Sequence, residues 1–185
     1  MLLPDGRVLS AGQDQGESSR WGEIYMPWYL FRGARPEIAA VPSRIGYDQP
    51  FSLATPQAGE ITSVALIAPA SMTHSVNSSQ RYVGLEFEVT GEASLRVVGP
   101  LTGNHAPPGY YMLFILNGND VPSVAPFVRV GPELLGDIDG SGIVGLADLL
   151  ILLESWGSCA GCQADLDGDG RVDFVDLLIL LGNWS

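Results

Sequence analysis

Tyr82-Val83-Gly84-Leu85-Glu86-Phe87-Glu88-Val89 alternates in apolar and polar character. In an extended chain Val83, Leu85, Phe87 and Val89 share one face, and Tyr82, Gly84, Glu86 and Glu88 share the other. This period of two predicts a single strand over 82–89 with one buried and one wetted face. Short strands at regular spacing are predicted on either side of it, at 51–54, 61–67, 95–98, 110–116 and 127–130, with no helical periodicity among them. Thr55-Pro56, Gly99-Pro100 and Ala106-Pro107-Pro108-Gly109 punctuate the gaps, where proline removes an amide donor and glycine permits tight backbone.

Six or seven strands in about a hundred residues predict a mainly β chain whose body, 32–131, is an immunoglobulin-like sandwich of two antiparallel sheets. The Cys-Trp-Cys arrangement of antibody domains is missing, so architecture alone carries this expectation. Residues 1–31 read as a separate piece. Leu2-Leu3-Pro4-Asp5-Gly6-Arg7-Val8-Leu9 places a Pro-Asp-Gly turn between two apolar arms, the pattern of a hairpin. A lone hairpin is marginal in water, so it needs neighbours to cover it. Residues 23–31 then lead through Arg35-Pro36 into the sandwich.

The 185 residues carry a formal net charge of −12, unevenly placed. Residues 133–185 hold ten acidic side chains against Arg171 alone, leaving 11 acids and eight arginines upstream. Such a tail attracts cations and excludes nucleic acid as a partner, because nothing in it neutralises phosphate. No apolar run is long enough to span a bilayer. The first seven residues lack the charged region and long apolar run of a signal peptide. Residues 132–136, Pro-Glu-Leu-Leu-Gly, read as a short linker into a small second domain over 137–185.

That second domain is a tandem repeat. Sliding the sequence by 28 places superimposes Asp137-Ile138-Asp139-Gly140-Ser141-Gly142 on Asp165-Leu166-Asp167-Gly168-Asp169-Gly170, and twelve of twenty positions agree over 137–156. Each copy runs from an acidic loop into Asp-Leu-Leu-Ile-Leu-Leu and closes on Trp156 or Trp184. An EF-hand-type loop binds calcium through oxygens at positions 1, 3, 5, 7, 9 and 12, with glycine at 6 and a backbone carbonyl at 7. In the second loop these are Asp165, Asp167, Asp169, the Arg171 carbonyl, Asp173 and Asp176. In the first they are Asp137, Asp139, Ser141, the Ile143 carbonyl and Asp148, with water replacing the missing side chain at Gly145. Two calcium ions are expected, the second loop binding more tightly because it offers five carboxylates against three. Position 12 is Asp rather than Glu, and no helix is expected to enter either loop. Each loop is followed by one helix, over about 148–156 and 176–184, and the Leu-Leu-Ile-Leu-Leu faces are expected to pack on each other.

Cys159 and Cys162 are the only cysteines and lie between the repeats. A Cys-x-x-Cys pair serves as a zinc half-site, a redox motif or a local disulfide. His74 and His105 are far off in sequence and no second cysteine pair exists, which leaves a small disulfide or two free thiols.

Residues 136–185 resemble a type I dockerin in loop register, glycine turn, apolar position 8 (Val144 and Val172), terminal Asp and following helix. The resemblance implies calcium-dependent folding and attachment to a cohesin module on an extracellular scaffold. Positions 10 and 11, which help choose the cohesin, are Leu146-Ala147 and Phe174-Val175 here rather than the common Ser-Thr type. The interrepeat cysteine pair is outside the usual pattern.

Thr73-His74-Ser75-Val76-Asn77-Ser78-Ser79-Gln80-Arg81, Ala106-Pro107-Pro108-Gly109-Tyr110-Tyr111-Met112-Leu113-Phe114 and Val121-Pro122-Ser123-Val124-Ala125 are similar to the C-terminal domain of the galactose oxidase and glyoxal oxidase family. The resemblance covers about 1–131, and 2–12 and 23–31 resemble the end of that family's β-propeller. It implies secreted copper-radical oxidases that oxidise an alcohol or aldehyde and reduce O₂ to peroxide. It also implies a copper-ligating His in a sandwich loop, at the place of His74. The other copper ligands of the family belong to its propeller, so copper is expected only where a propeller is present.

The expectation is therefore a noncatalytic C-terminal part of a secreted galactose-oxidase-like protein, a fragment or truncated product whose propeller and signal peptide are missing. It would be extracellular or at the cell surface, coupled through calcium to a cohesin-like or other extracellular partner. The alternatives are part of a copper-radical oxidase active with its propeller, and a calcium-stabilised structural module without a cohesin partner.

Overall fold

The structure, a computed structural model, describes residues 1–11, 22–73, 76–132, 134–159 and 161–184, with Met72 and Thr73 described by backbone alone. The chain divides into two compact units, Met1–Gly131 and Pro132–Ser185. In chain order the first contains β1 (Val8–Ala11), β2 (Gly22–Tyr25), β3 (Arg44–Ile45), β4 (Pro50–Ala54), β5 (Ile61–Ile67), β6 (Met72–Thr73), β7 (Val76–Asn77), β8 (Tyr82–Leu85), β9 (Phe87–Gly91), β10 (Ser94–Val98), β11 (Gly109–Asn117) and β12 (Phe127–Val130). The second contains α1 (Leu146–Glu154), β13 (Gly157–Ser158), β14 (Arg171–Val172) and α2 (Phe174–Gly182).

In the first unit a five-stranded sheet, β3-β12-β11-β5-β8, and a three-stranded sheet, β4-β10-β9, close on one core. Leu53, Leu95 and Val97 enter it from the smaller sheet, and Val64, Leu66, Leu113, Ile115, Val128 and Val130 from the larger. This is the architecture of an immunoglobulin-like sandwich. Its strands are antiparallel except at one edge, where β12 pairs in parallel with β3 through Arg129 and Arg44. The expectation of wholly antiparallel sheets is corrected there: β3 is two residues long, too short for any alternation to announce it.

The strand expected over 82–89 is two strands. β8 pairs with β5 in the larger sheet, whereas β9 pairs with β10 in the smaller. The chain changes sheets at Glu86, whose carbonyl accepts from Val98 N at 2.9 Å. Alternation survives the change because both sheets face the same core: Val83, Leu85 and Phe87 all pack into it. Val89 lies beyond the core and is exposed, contrary to its place on the apolar face.

β11 reads as an unbroken apolar run because both its faces are covered. Tyr111, Leu113 and Ile115 point into the sandwich core, and Met112 and Phe114 pack outside it with Ala125, Ile67, Leu116 and Leu2. Leu2 belongs to the expected hairpin, which does form: Leu3 N donates to Arg7 O at 2.8 Å and Gly6 N to Leu3 O at 2.9 Å. The Arg7 guanidinium and backbone N–H bind the Asp5 carboxylate, holding its pKa below the ordinary range. β1 continues the hairpin and pairs with β2. The neighbours a hairpin requires are supplied by the sandwich and by Tyr29, on the segment leading into it. Ala125 N donates to Pro4 O at 2.9 Å, the Tyr29 hydroxyl to Gly6 O at 2.6 Å, and the Arg35 guanidinium to the carbonyls of Asp5, Pro122 and Ser123.

The second unit is small. Val144, Leu152, Ala164, Val172 and Leu180 are buried in it, with Leu134, Ile138, Leu149, Leu166, Leu177 and both cysteines packed around them. The core repeats with the sequence: Val144 and Val172, Leu152 and Leu180, Ile138 and Leu166, and Leu149 and Leu177 are equivalent positions of the two copies. Leu134, within the stretch expected as a linker, takes part in this core, and its carbonyl accepts from Asp137 N at 3.0 Å. Both helices start two residues earlier than expected, because the chain is capped at position 9 of each loop rather than at position 12. The Asp173 side chain accepts from Val175 N at 2.8 Å, and the Asp176 carboxylate reaches back to Asp173 N at 2.8 Å. At Gly145 only the second half of this reciprocal cap exists, Gly145 N donating to Asp148 Oδ2 at 2.8 Å.

Candidate metal centre

The two acidic loops are built by the same hydrogen bonds. The first carboxylate accepts from the sixth residue, Gly142 N to Asp137 Oδ2 and Gly170 N to Asp165 Oδ2, both at 2.9 Å. Those glycines have φ of 94° and 89°, a left-handed turn that a side chain would strain. The carboxylate at position 3 accepts from the residue at position 5, Ser141 N to Asp139 Oδ1 at 2.8 Å and Asp169 N to Asp167 Oδ1 at 3.1 Å. The carboxylate at position 12 is buried and closes the loop. Asp148 Oδ1 accepts from Ile138 N and Asp139 N, and Asp176 Oδ1 from Leu166 N and Asp167 N.

Backbone N–H groups thus hold the carboxylates with oxygens converging. In the first loop one oxygen each of Asp137, Asp139 and Asp148 lies within 4.8 Å of the others; in the second, those of Asp165, Asp167 and Asp169 do so. These are the only such acidic, His or Cys groupings among the described residues. An all-oxygen, anionic donor set is the chemistry of a hard divalent cation such as calcium. The charges of the second loop feel one another. At Asp167 the Asp169 N–H pulls the pKa down, but burial and the charges of Asp169, Asp176 and Asp165 outweigh it and the pKa is raised. Asp139, in the less charged loop, is held low, chiefly by the Ser141 N–H. At Asp176 burial pushes the pKa up, and the N–H groups of Asp173, Leu166 and Asp167 more than reverse it.

The remaining expected ligands are placed less uniformly. Asp173 caps α2, Ser141 Oγ donates to the Ile143 carbonyl at 3.3 Å, and Arg171 begins β14 with its N–H on Asp169 Oδ1 at 2.8 Å. Asp176 is tied to the second loop by its hydrogen bonds rather than by the converging oxygens, unlike Asp148 in the first. Cys159 and Cys162 are joined in a disulfide, their Cα atoms 5.7 Å apart. His74 lies outside the described residues. His105 is exposed, its Nδ1 3.0 Å from Thr102 Oγ1.

Leu146, Ala147, Phe174 and Val175 are all exposed, on the first turn of each helix. They are not alone. Leu150, Leu153 and Trp156 continue from Leu146, and Leu178, Leu181 and Trp184 from Phe174, as matching exposed stripes. The expected packing of the full Leu-Leu-Ile-Leu-Leu faces on each other is corrected: Leu149, Leu152, Leu177 and Leu180 face the core, and the other leucines face away. The stripes were readable as the i, i+4, i+7 leucines left over once a single core face is assigned. No helix among the described residues is long and apolar enough to cross a membrane.

Residues 35–130 match the family model described as galactose oxidase-like, early set domain. A galactose oxidase of Gibberella zeae is 33% identical over 140 residues, which is 70% of this chain and 20% of that protein. An aldehyde oxidase (GLOX) of Vitis pseudoreticulata is 35% identical over 152 residues, 71% of this chain and 29% of that protein. A solved fungal alcohol oxidase of the AA5 family, in complex with copper, superposes with a TM-score of 0.63 at 30% identity, over 70% of this chain and 29% of that one. The chain therefore spans under a third of the length of these relatives.

Proposed function

Because the chain belongs to the galactose oxidase-like early set domain family, we propose that it serves as the noncatalytic sandwich of a secreted galactose-oxidase-like protein. Its second unit is then a calcium-folded, dockerin-like coupling module. The observation that carries the coupling module is the pair of acidic loops, at equivalent places in the two repeats, each drawing three carboxylates within 4.8 Å. Bound calcium supplies positive charge that neutralises carboxylates otherwise repelling one another across the loop. Asp137, Asp139, Ser141, the Ile143 carbonyl and Asp148 hold one ion, and Asp165, Asp167, Asp169, the Arg171 carbonyl, Asp173 and Asp176 hold the other. The matching exposed stripes that begin at Leu146-Ala147 and Phe174-Val175 support a protein partner, of cohesin type on an extracellular scaffold. The exposed Tyr25, Trp28 and Phe31 support a propeller as neighbour of the first unit.

Both α-helices among the described residues lie in the second unit, so the α-helical signal in circular dichroism reports chiefly on that unit. Titrating calcium into the full chain is expected to raise the helical signal, and chelation to abolish it. Asp165→Ala should weaken the response by roughly tenfold or more, and Asp137→Ala by less, because affinity follows ligand charge. A helical signal indifferent to calcium overturns the module.

A second reading follows from the relatives described as alcohol, aldehyde and galactose oxidases. With a propeller supplied by another stretch of polypeptide, His74 would complete a copper site. The chain by itself is expected to make no peroxide from alcohols or aldehydes when loaded with copper. Peroxide production that disappears in His74→Ala would establish the oxidase reading in its place.

A further inference from the structure

The disulfide is joined by backbone hydrogen bonds to the second of the two loops. Cys162 O accepts from Asp165 N at 3.2 Å, at the entry of the second loop, and Cys159 N donates to Gly170 O at 3.1 Å, at its turn. Cys162 N also donates to Cys159 O at 3.2 Å, so both ends of the bridge are fastened to the loop, at positions 1 and 6. Just before it, β13 pairs with β14, Ser158 opposite Arg171 and Gly157 opposite Val172, which are positions 7 and 8. Both cysteines also pack against the core that the two copies share, with Val144 and Leu152 from the first and Val172 and Leu180 from the second.

The first loop has the matching entry bond. Leu134, which stands in the first copy where Cys162 stands in the second, offers its carbonyl to Asp137 N. Gly131, at the place equivalent to Cys159, donates instead to Ile45 O, within the sandwich. Nothing covalent ties 131 to 134, so the repeat carries its own control.

We infer that the Cys159–Cys162 disulfide is a redox regulator of the second cation site, holding its entry and turn in the binding geometry and raising its affinity for calcium without affecting the first. This rests on the calcium reading of the loops. Reduction by a small dithiol transfers two electrons and two protons to the bridge, giving two cysteine thiols and leaving the dithiol as its own cyclic disulfide. The freed 159–162 turn regains the conformations that the short ring had excluded. The loop then has to order that turn when it binds, which lowers its affinity by roughly 3- to 20-fold, the upper figure being the loop-closure entropy of about four residues. Linkage requires the converse: calcium must favour the oxidised bridge over the dithiol by the same factor.

The test is calorimetric titration of calcium into the full chain, oxidised, reduced, and as Cys159→Ser/Cys162→Ser, each also in an Asp139→Ala background so that the second site is read alone. The reduced chain and the double variant are expected to bind calcium at the second site roughly 3- to 20-fold more weakly, with the first site unchanged. The bridge should be correspondingly harder to reduce in saturating calcium. Equal second-site affinities in the oxidised and reduced chain overturn the inference and leave the calcium reading standing. Equal weakening of both sites also overturns it, since the bridge would then stabilise the unit generally. Absence of calcium binding to the oxidised chain removes the calcium reading and the inference together.

Discussion

Asp176→Ala is expected to leave the helices of the second unit unformed even in excess calcium. The Asp176 carboxylate is fully buried and accepts three backbone N–H bonds, from Leu166 at 2.6 Å, Asp167 at 3.2 Å and Asp173 at 2.8 Å. Bonds to a charged group contribute about 1.5–3 kcal/mol each and are not additive within one carboxylate, so truncation costs about 4–5 kcal/mol in all. It strips the cap from α2 and leaves three donors facing a methyl group. Against that loss stands a core of five fully buried apolar side chains, which in so small a unit leaves a margin of about 3–5 kcal/mol. Asp176→Asn retains one oxygen able to accept from Leu166 and Asp167, but turns an amide toward Asp173 N. It should fold with calcium at a higher midpoint. Helical circular dichroism against calcium concentration separates the three proteins, and a full helical signal in Asp176→Ala would remove Asp176 from its place as the loop's closing group.

The second large effect is expected at Arg35. Its Nε and Nη2 reach the carbonyls of Pro122 and Ser123 at 2.9 and 2.7 Å, and its Nη1 that of Asp5 at 2.8 Å. One guanidinium thereby ties the N-terminal turn to the segment after β11. Arg35→Ala should lower the stability of the first unit by about 3 kcal/mol, or roughly 10 °C in melting temperature. The hairpin amides of Leu3 and Gly6 should lose hydrogen-exchange protection first, as Leu2 ceases to cover Met112 and Phe114. Arg35→Lys should rescue little, because a single ammonium cannot reproduce a planar fork aimed at three carbonyls. Unchanged melting and exchange in Arg35→Ala would show that the hairpin is held by its apolar contacts alone.

Much of the first unit was legible because its strands carry local signals. Those expected at 61–67 and 127–130 have these bounds in the structure, and those at 51–54, 95–98 and 110–116 agree within one residue at either end. The break at Glu86 carried no such signal. Alternation records which way side chains point, and it continues unchanged when a strand leaves one sheet for another across a shared core. The early start of α2 has a signal in the sequence as well: Asp173 and Asp176 stand at the spacing of a reciprocal cap. The acidic loops were the most legible feature of the candidate site, since register, turn glycines and carboxylates all lie within twelve consecutive residues.

By itself the sequence determined a β body, a repeated acidic tail and the identity of the loop carboxylates, because each is written in short-range spacing. Tertiary structure alone decided that β8 and β9 lie in different sheets and that the N-terminal hairpin covers the outer face of β11. It alone decided, too, that the Cys159–Cys162 bridge is fastened to the second loop. Each of these depends on hydrogen bonds and contacts between residues that local periodicity does not relate, which only the closed chain brings together.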